Sequence, residues 1–76
     1  MKWYGNLEDL QDVFEINRFE IDGLQPTNLA ERFRIKDAQF SLFRTGKLVV
    51  QGRGADYMRT VTKRILKDDE RFKEEE

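Results

Sequence analysis

Residues 38–44 and 47–53 read as two runs of period two joined by a glycine-containing loop, and this pattern most limits what the chain can become. Ala38, Phe40 and Leu42 share one parity on the first run, and Leu48 and Val50 share it on the second. A three-residue loop, Arg44-Thr45-Gly46, brings these positions onto one face, with Gly46 supplying the left-handed residue. A two-residue loop would pair Arg44 with Lys47 and mix the faces, so the buried face selects the longer loop. An amphipathic segment follows from Gly54. Its residues Tyr57, Met58, Val61, Ile65 and Leu66 form an apolar stripe of helical spacing, with Arg59, Lys63, Arg64 and Lys67 outside. A hairpin feeding a helix predicts an α+β fold: a curved antiparallel sheet of 3-4 strands with a long C-terminal helix on one face.

The segments before the hairpin are less regular. Asn6 caps a predicted helix whose apolar residues Leu7, Leu10 and Phe14 share one side. From Phe14 to Ile21 the pattern turns extended, with Ile16, Phe19 and Ile21 as strand formers and Gly23 as the stop. Helix and strand compete across residues 6–17. Gln25-Pro-Thr-Asn-Leu-Ala-Glu-Arg-Phe33 reads as a short helix, with Pro26 in the first turn and Leu29, Ala30 and Phe33 on one side. Lys36-Asp37 reads as a turn, and Ile35 stands outside the hairpin's apolar set.

A chain of 76 residues forms one domain and buries only ~60% of its unfolded surface, so its core is thin. The single α+β domain is expected to span 1–68. Residues 69–76 are charged apart from Phe72 and are expected to fray, with Phe72 either extending the helical stripe or loose. No cysteine and no histidine are present, which leaves no disulfide and removes the usual zinc ligands. No metal site and no cofactor are expected. The longest apolar run, Leu48-Val49-Val50, is far too short to cross a membrane, and the N-terminus lacks a signal-peptide apolar block. A cytoplasmic location and no membrane partner are the expectation.

Net charge is −1, but it is unevenly spread. Residues 1–23 set Lys2 and Arg18 against six carboxylates, net −4; residues 24–66 carry +6; residues 67–76 carry −3. A basic middle between acidic ends can mark a polyanion-facing surface, and it can equally keep a small domain soluble. The second face of the hairpin carries Gln39, Ser41 and Phe43, then Lys47, Val49, Gln51 and Arg53. An ordinary solvent face would be polar throughout, yet Phe43 and Val49 are cross-strand neighbours here. Apolar wedges, amide and hydroxyl hydrogen-bonding groups, and two cations suit the minor groove or a single strand. They also suit a protein interface with an aromatic anchor and polar rim. A plainer alternative has Phe43 and Val49 half-covered by the N-terminal segment.

The same residues resemble a family. Phe43-Arg-Thr-Gly-Lys-Leu-Val-Val-Gln-Gly52 followed by a helix is similar to the signature hairpin of the TATA-binding protein repeat, approximately Ala-Leu-Ile-Phe-x-Ser-Gly-Lys-x-Val-x-Thr-Gly. The strand at 14–22 and the helix at 26–33 would match that repeat's first strand and first helix in order. Similar helix-grip domains occur at the N-terminus of type III ribonuclease H. The resemblance implies half of a TATA-binding-protein-like saddle. It puts Phe43 at the position of a minor-groove wedge, with Lys47, Val49 and Gln51 at groove-facing positions. Gln51 replaces the usual threonine and Ser41 an apolar contact, the second wedge is missing, and one repeat replaces two. TATA recognition does not transfer.

Catalytic sets built on histidine or cysteine are impossible in this composition, and Gly52-Arg-Gly54 is too short for a phosphate loop. Asp9, Asp12 and Glu15 read as a solvated helix face. The expected function is therefore a non-enzymatic nucleic-acid-binding module, taking duplex DNA or an RNA/DNA hybrid weakly or without specificity. The alternative is a protein-interaction or assembly module, a homodimer included, without a nucleic-acid role. A third reading, by analogy with the ribonuclease, is a structural part of a larger enzyme.

Overall fold

A computed structural model describes residues 1–74. In chain order the elements are β1 (Lys2–Trp3), α1 (Leu7–Ile16), β2 (Asp22–Gly23), β3 (Ala30–Ile35), β4 (Ala38–Phe43), β5 (Leu48–Gly52), α2 (Ala55–Leu66) and β6 (Phe72–Lys73). The four central strands form an antiparallel sheet in the order β2-β3-β4-β5, and β1 pairs with β6. A single bridge, Lys2 to Lys47, joins the two sets. The fold is thus α+β with an antiparallel sheet and two helices among the described residues. Its C-terminal helix, at 12 residues, is short where a long one was expected.

The β4–β5 hairpin has the expected register, with Phe40 opposite Val50 and Leu42 opposite Leu48. Its loop is Arg44-Thr45-Gly46: the Phe43 amide donates to the Lys47 carbonyl, the Gly46 amide donates to Phe43, and Gly46 has φ +93°. Residues 30–35, however, form a strand rather than the end of a helix. The Thr27 hydroxyl accepts from the Leu29 and Ala30 amides, and the Thr27 amide donates to the Ala30 carbonyl. That closed turn redirects the chain before a helix can propagate. β3 then alternates Arg32 and Arg34 outward with Phe33 and Ile35 inward, and Lys36-Asp37 turns it onto β4 with Ile35 opposite Ala38. Ile35 therefore joins the hairpin's inner face, while Leu29 is left exposed.

The expected strand at 14–21 is also overturned. Asn6 caps α1 by accepting from the Asp9 amide at 2.8 Å, as its sequence predicts, but the helix runs on to Ile16. It stops by a left-handed residue at Arg18 (φ 69°). The Phe19 amide donates to the Phe14 carbonyl and the Arg18 amide to Glu15, which is a Schellman ending made without glycine. The apolar contact that accompanies such an ending is Phe19 edge-on to Phe14, at 6.0 Å between centroids. Only Asp22-Gly23 then pairs, as a short strip along β3.

Both helices cover the same face of the sheet. Phe14 of α1 lies over Phe40 (5.2 Å) and Phe33 (6.2 Å), and these two rings stack across strands at 4.8 Å. Met58, Val61 and Leu66 of α2 complete this core with Ile35, Leu48 and Val50. Thr62 joins them because its hydroxyl donates to the Met58 carbonyl within the helix. Tyr57, placed in the stripe by spacing, is instead exposed.

Within the charged tail, Phe72–Lys73 pairs as β6 with β1. Phe72 is buried opposite Trp3, and the Tyr4 amide donates to the Arg71 carbonyl. Glu75 and Glu76, also expected to fray, lie outside the described residues. No described helix is long and apolar enough to cross a membrane.

Phe40→Ala should cost about 3–5 kcal/mol, read by chemical denaturation, because it removes the ring shared by Phe14 and Phe33. A domain of this size has only about 4–11 kcal/mol in total. Arg18→Gly should instead stabilise by roughly 0.5–1 kcal/mol, the left-handed penalty less the glycine entropy cost. A decrease in the denaturation midpoint would contradict the αL ending.

Candidate nucleic-acid interface

The face of the sheet opposite the helices is uncovered. Strand register fixes what it shows. Arg34, Gln39 and Gln51 form one cross-strand row, Arg32, Ser41 and Val49 the next, and Ala30, Phe43 and Lys47 the third. Six of the expected site residues, Gln39, Ser41, Phe43, Lys47, Val49 and Gln51, are therefore brought together. Ser41 is buried at 8% exposure between its neighbours, and Phe43 and Val49 are half-buried, while Lys47 and Gln51 are exposed. Arg53 is not part of the face. Gly52 (φ +97°) breaks the alternation, and its hydrogen side packs so closely on the Asp37 carbonyl that a Cβ would stand 2.8 Å from the oxygen. Arg53 consequently lies in the turn into α2.

The N-terminal segment borders Phe43 through Tyr4 at the hairpin tip. It enters beside β5 as a strand: the Leu48 amide donates to the Met1 carbonyl at 2.9 Å and the Trp3 amide to Gly46 at 2.7 Å. Lys2 thereby faces Lys47 directly, and Lys73 faces Lys2 on the far side. The third row continues as Phe43, Lys47, Lys2 and Lys73. Neither Lys2 nor Lys73 was foreseen, because strands of two residues at opposite ends of the chain leave no local pattern. Arg32 and Arg34 were missed because residues 30–33 carried a helical reading. The alternation Glu31-Arg-Phe-Arg-Ile35 was the available signal.

The two helices behind the sheet differ in charge, and α2 carries Arg59, Lys63 and Arg64 against Asp56. Glu8, Asp9, Asp12 and Glu15 lie on α1, behind the sheet. Among the described strand residues of the open face, Asp22 at the rim is the one carboxylate, 3.8 Å from Arg34. Arg32 donates from Nε to the Gln25 carbonyl at 2.8 Å. Among the described residues no ion pair engages Lys47, Lys2 or Lys73. A shallow concavity of about 360 Å³ opens at the hairpin tip, with Tyr4, Phe43, Arg44 and Asn28 in its wall.

β6 is held in place by Arg71. Its guanidinium makes a bidentate pair with Asp69 (2.9 and 3.0 Å), reaches Asp9 of α1 at 2.8 Å, and lies 4.6 Å from the centre of the Trp3 ring. Trp3 in turn donates its indole N–H to the Asn6 carbonyl. The side-chain and backbone hydrogen bonds from Arg71 hold the Asp69 carboxyl below its ordinary value, and Asp69 raises the Arg71 guanidinium. The free edge of β5 is also guarded, since Arg59 of α2 donates to the Val50 carbonyl at 2.7 Å.

No protein-family model matches the chain, and no curated protein matches it.

The Asp69 shift carries a pH dependence. A carboxyl whose pKa is lower folded than unfolded stabilises fully above the unfolded value, and that stabilisation is lost as pH falls through the folded one. Trp3 fluorescence should therefore keep its buried signature through the ordinary carboxylate range and shift only at lower pH. Asp69→Asn should remove this component of the titration while leaving a folded far-UV spectrum.

Proposed function

We propose that this domain is a non-enzymatic nucleic-acid-binding module working through the open face of its sheet. The observation that carries the reading is a sheet face, uncovered by either helix, that combines cations with an apolar patch. Cations and a half-exposed Phe43–Val49 patch occupy the uncovered face, while the acidic α1 and the basic α2 lie behind it. A polyanion approaching the open face meets attraction, and one approaching α1 meets repulsion. Lys47 and its neighbours take phosphate, Phe43 and Val49 give apolar contact, and Gln39 and Gln51 supply hydrogen bonds of low sequence preference. Such binding weakens with salt as counterions return to the strand.

The resemblance to half of a TATA-binding protein rests on the hairpin sequence and the helix that follows it. The preceding elements differ in kind, since residues 14–16 end a helix and residues 30–35 form a strand. The reading therefore rests on the chemistry of the face rather than on that fold. The alternative, an assembly module pairing by its sheet edges, is less well supported. One edge is a two-residue strip, and the other is occupied by β1 and Arg59.

The test is an amide chemical-shift titration with short nucleic acid at low and moderate salt. Salt-sensitive shifts should centre on Ser41, Phe43, Lys47, Val49 and Gln51. Phe43→Ala should weaken binding by about 1–3 kcal/mol while changing stability by less than ~1 kcal/mol. Shifts confined to α2, or unchanged affinity in this variant, would reject the assignment.

A further inference from the structure

Lys47, Lys2 and Lys73 stand directly opposite one another on three adjacent strands, and all face the open side. Lys2 and Lys47 are the non-hydrogen-bonded kind of antiparallel pair, because the bonds come from the flanking Leu48 and Trp3 amides. This is the closer of the two arrangements, with side chains in contact range. Like charges directly opposite destabilise a sheet. Here the repulsion is doubled across β5, β1 and β6, and among the described residues none of the three lysines forms an ion pair.

Direction adds to this. On one side of Phe43 the row ends at Ala30, which is buried under the Thr27 turn. On the other side it runs through the three lysines. Of the cations of β3, Arg32 donates to the Gln25 carbonyl and Arg34 lies 3.8 Å from the exposed Asp22. A duplex straddling Phe43 as a minor-groove wedge would present phosphates on both sides of it. Within this cross-strand row the charge lies on one side only.

Given the nucleic-acid reading of this face, on which the inference rests, we infer that the ligand is a single strand. It runs across the sheet, perpendicular to the strands, with its phosphates along Lys47, Lys2 and Lys73. One base stacks on Phe43 beside the concavity at the hairpin tip. Adjacent strands lie about 4.8 Å apart, so the three lysines span roughly 10 Å at the backbone. A stacked strand rising ~3.4 Å per nucleotide places about three phosphates in that distance. The ligand relieves a repulsion that the free protein carries.

The experiment measures anisotropy of a labelled oligothymidylate and of a DNA duplex of equal length, as a function of salt. The wild type should prefer the oligothymidylate. Each phosphate contact on a single strand contributes about −0.7 to the slope of log affinity against log salt, so Lys2→Ala/Lys73→Ala should flatten the slope by about 1.4. Lys63→Ala/Arg64→Ala on α2 should leave it unchanged. In the free protein, Lys2→Glu should raise the melting temperature at low salt, with the gain fading at high salt. Preference for the duplex, or an unchanged slope in the Lys2/Lys73 variant, would overturn the single-strand track while the face stands as a site. Wild-type protein that binds neither nucleic acid, or binds poly-glutamate as tightly, would overturn the track and the nucleic-acid reading together.

Discussion

The stacking of Phe33 on Phe40, closed from above by Phe14, is the contact on which the other features depend. It joins two strands and the first helix in a domain too small for a second core. It also fixes register. A shift of one residue in either hairpin would turn Phe33 or Phe40 outward and bring Arg32 or Ser41 into the apolar layer. The composition of the open face is therefore the complement of the core. Arg32, Ser41, Val49, Phe43 and Lys47 are presented because their neighbours are buried.

Legibility in the sequence followed the range of the interactions. The β4–β5 hairpin was readable because pattern, loop length and Gly46 agree within fifteen residues, and α2 because its stripe is local. The N-cap of α1 was readable for the same reason. Its end was not, because the Schellman ending uses Arg18 where glycine would signal it, and Phe19 looks like a strand former until it meets Phe14. β3 was hidden by Pro26, Leu29 and Phe33, whose helical spacing is genuine but is defeated by the Thr27 turn and by pairing with β4. The candidate site divided in the same way. Positions 39 to 51 of the hairpin were visible, Arg53 was lost to the bend at Gly52, and Lys2 and Lys73 emerged only when the chain ends met.

Those chain ends are expensive to hold. Two-residue strands carry few backbone bonds, and in this pair one member of each strand is a lysine facing another lysine. Trp3 and Phe72 supply the compensating burial on the inner face, and Arg71 adds the tie to Asp69, Asp9 and the Trp3 ring. The sheet thus places its strongest terminal anchors directly beneath its least favourable charges.

That juxtaposition argues against a purely structural origin for β1 and β6. Covering the edge of β5 needs only backbone donors and acceptors, which Met1 and Trp3 supply whatever side chain stands between them. A glutamate or threonine at position 2 would guard the edge equally well and pair favourably with Lys47. Lysine at that position faces a lysine on each side. On the nucleic-acid reading proposed above, its placement is favoured when negative charge arrives from the open side of the sheet.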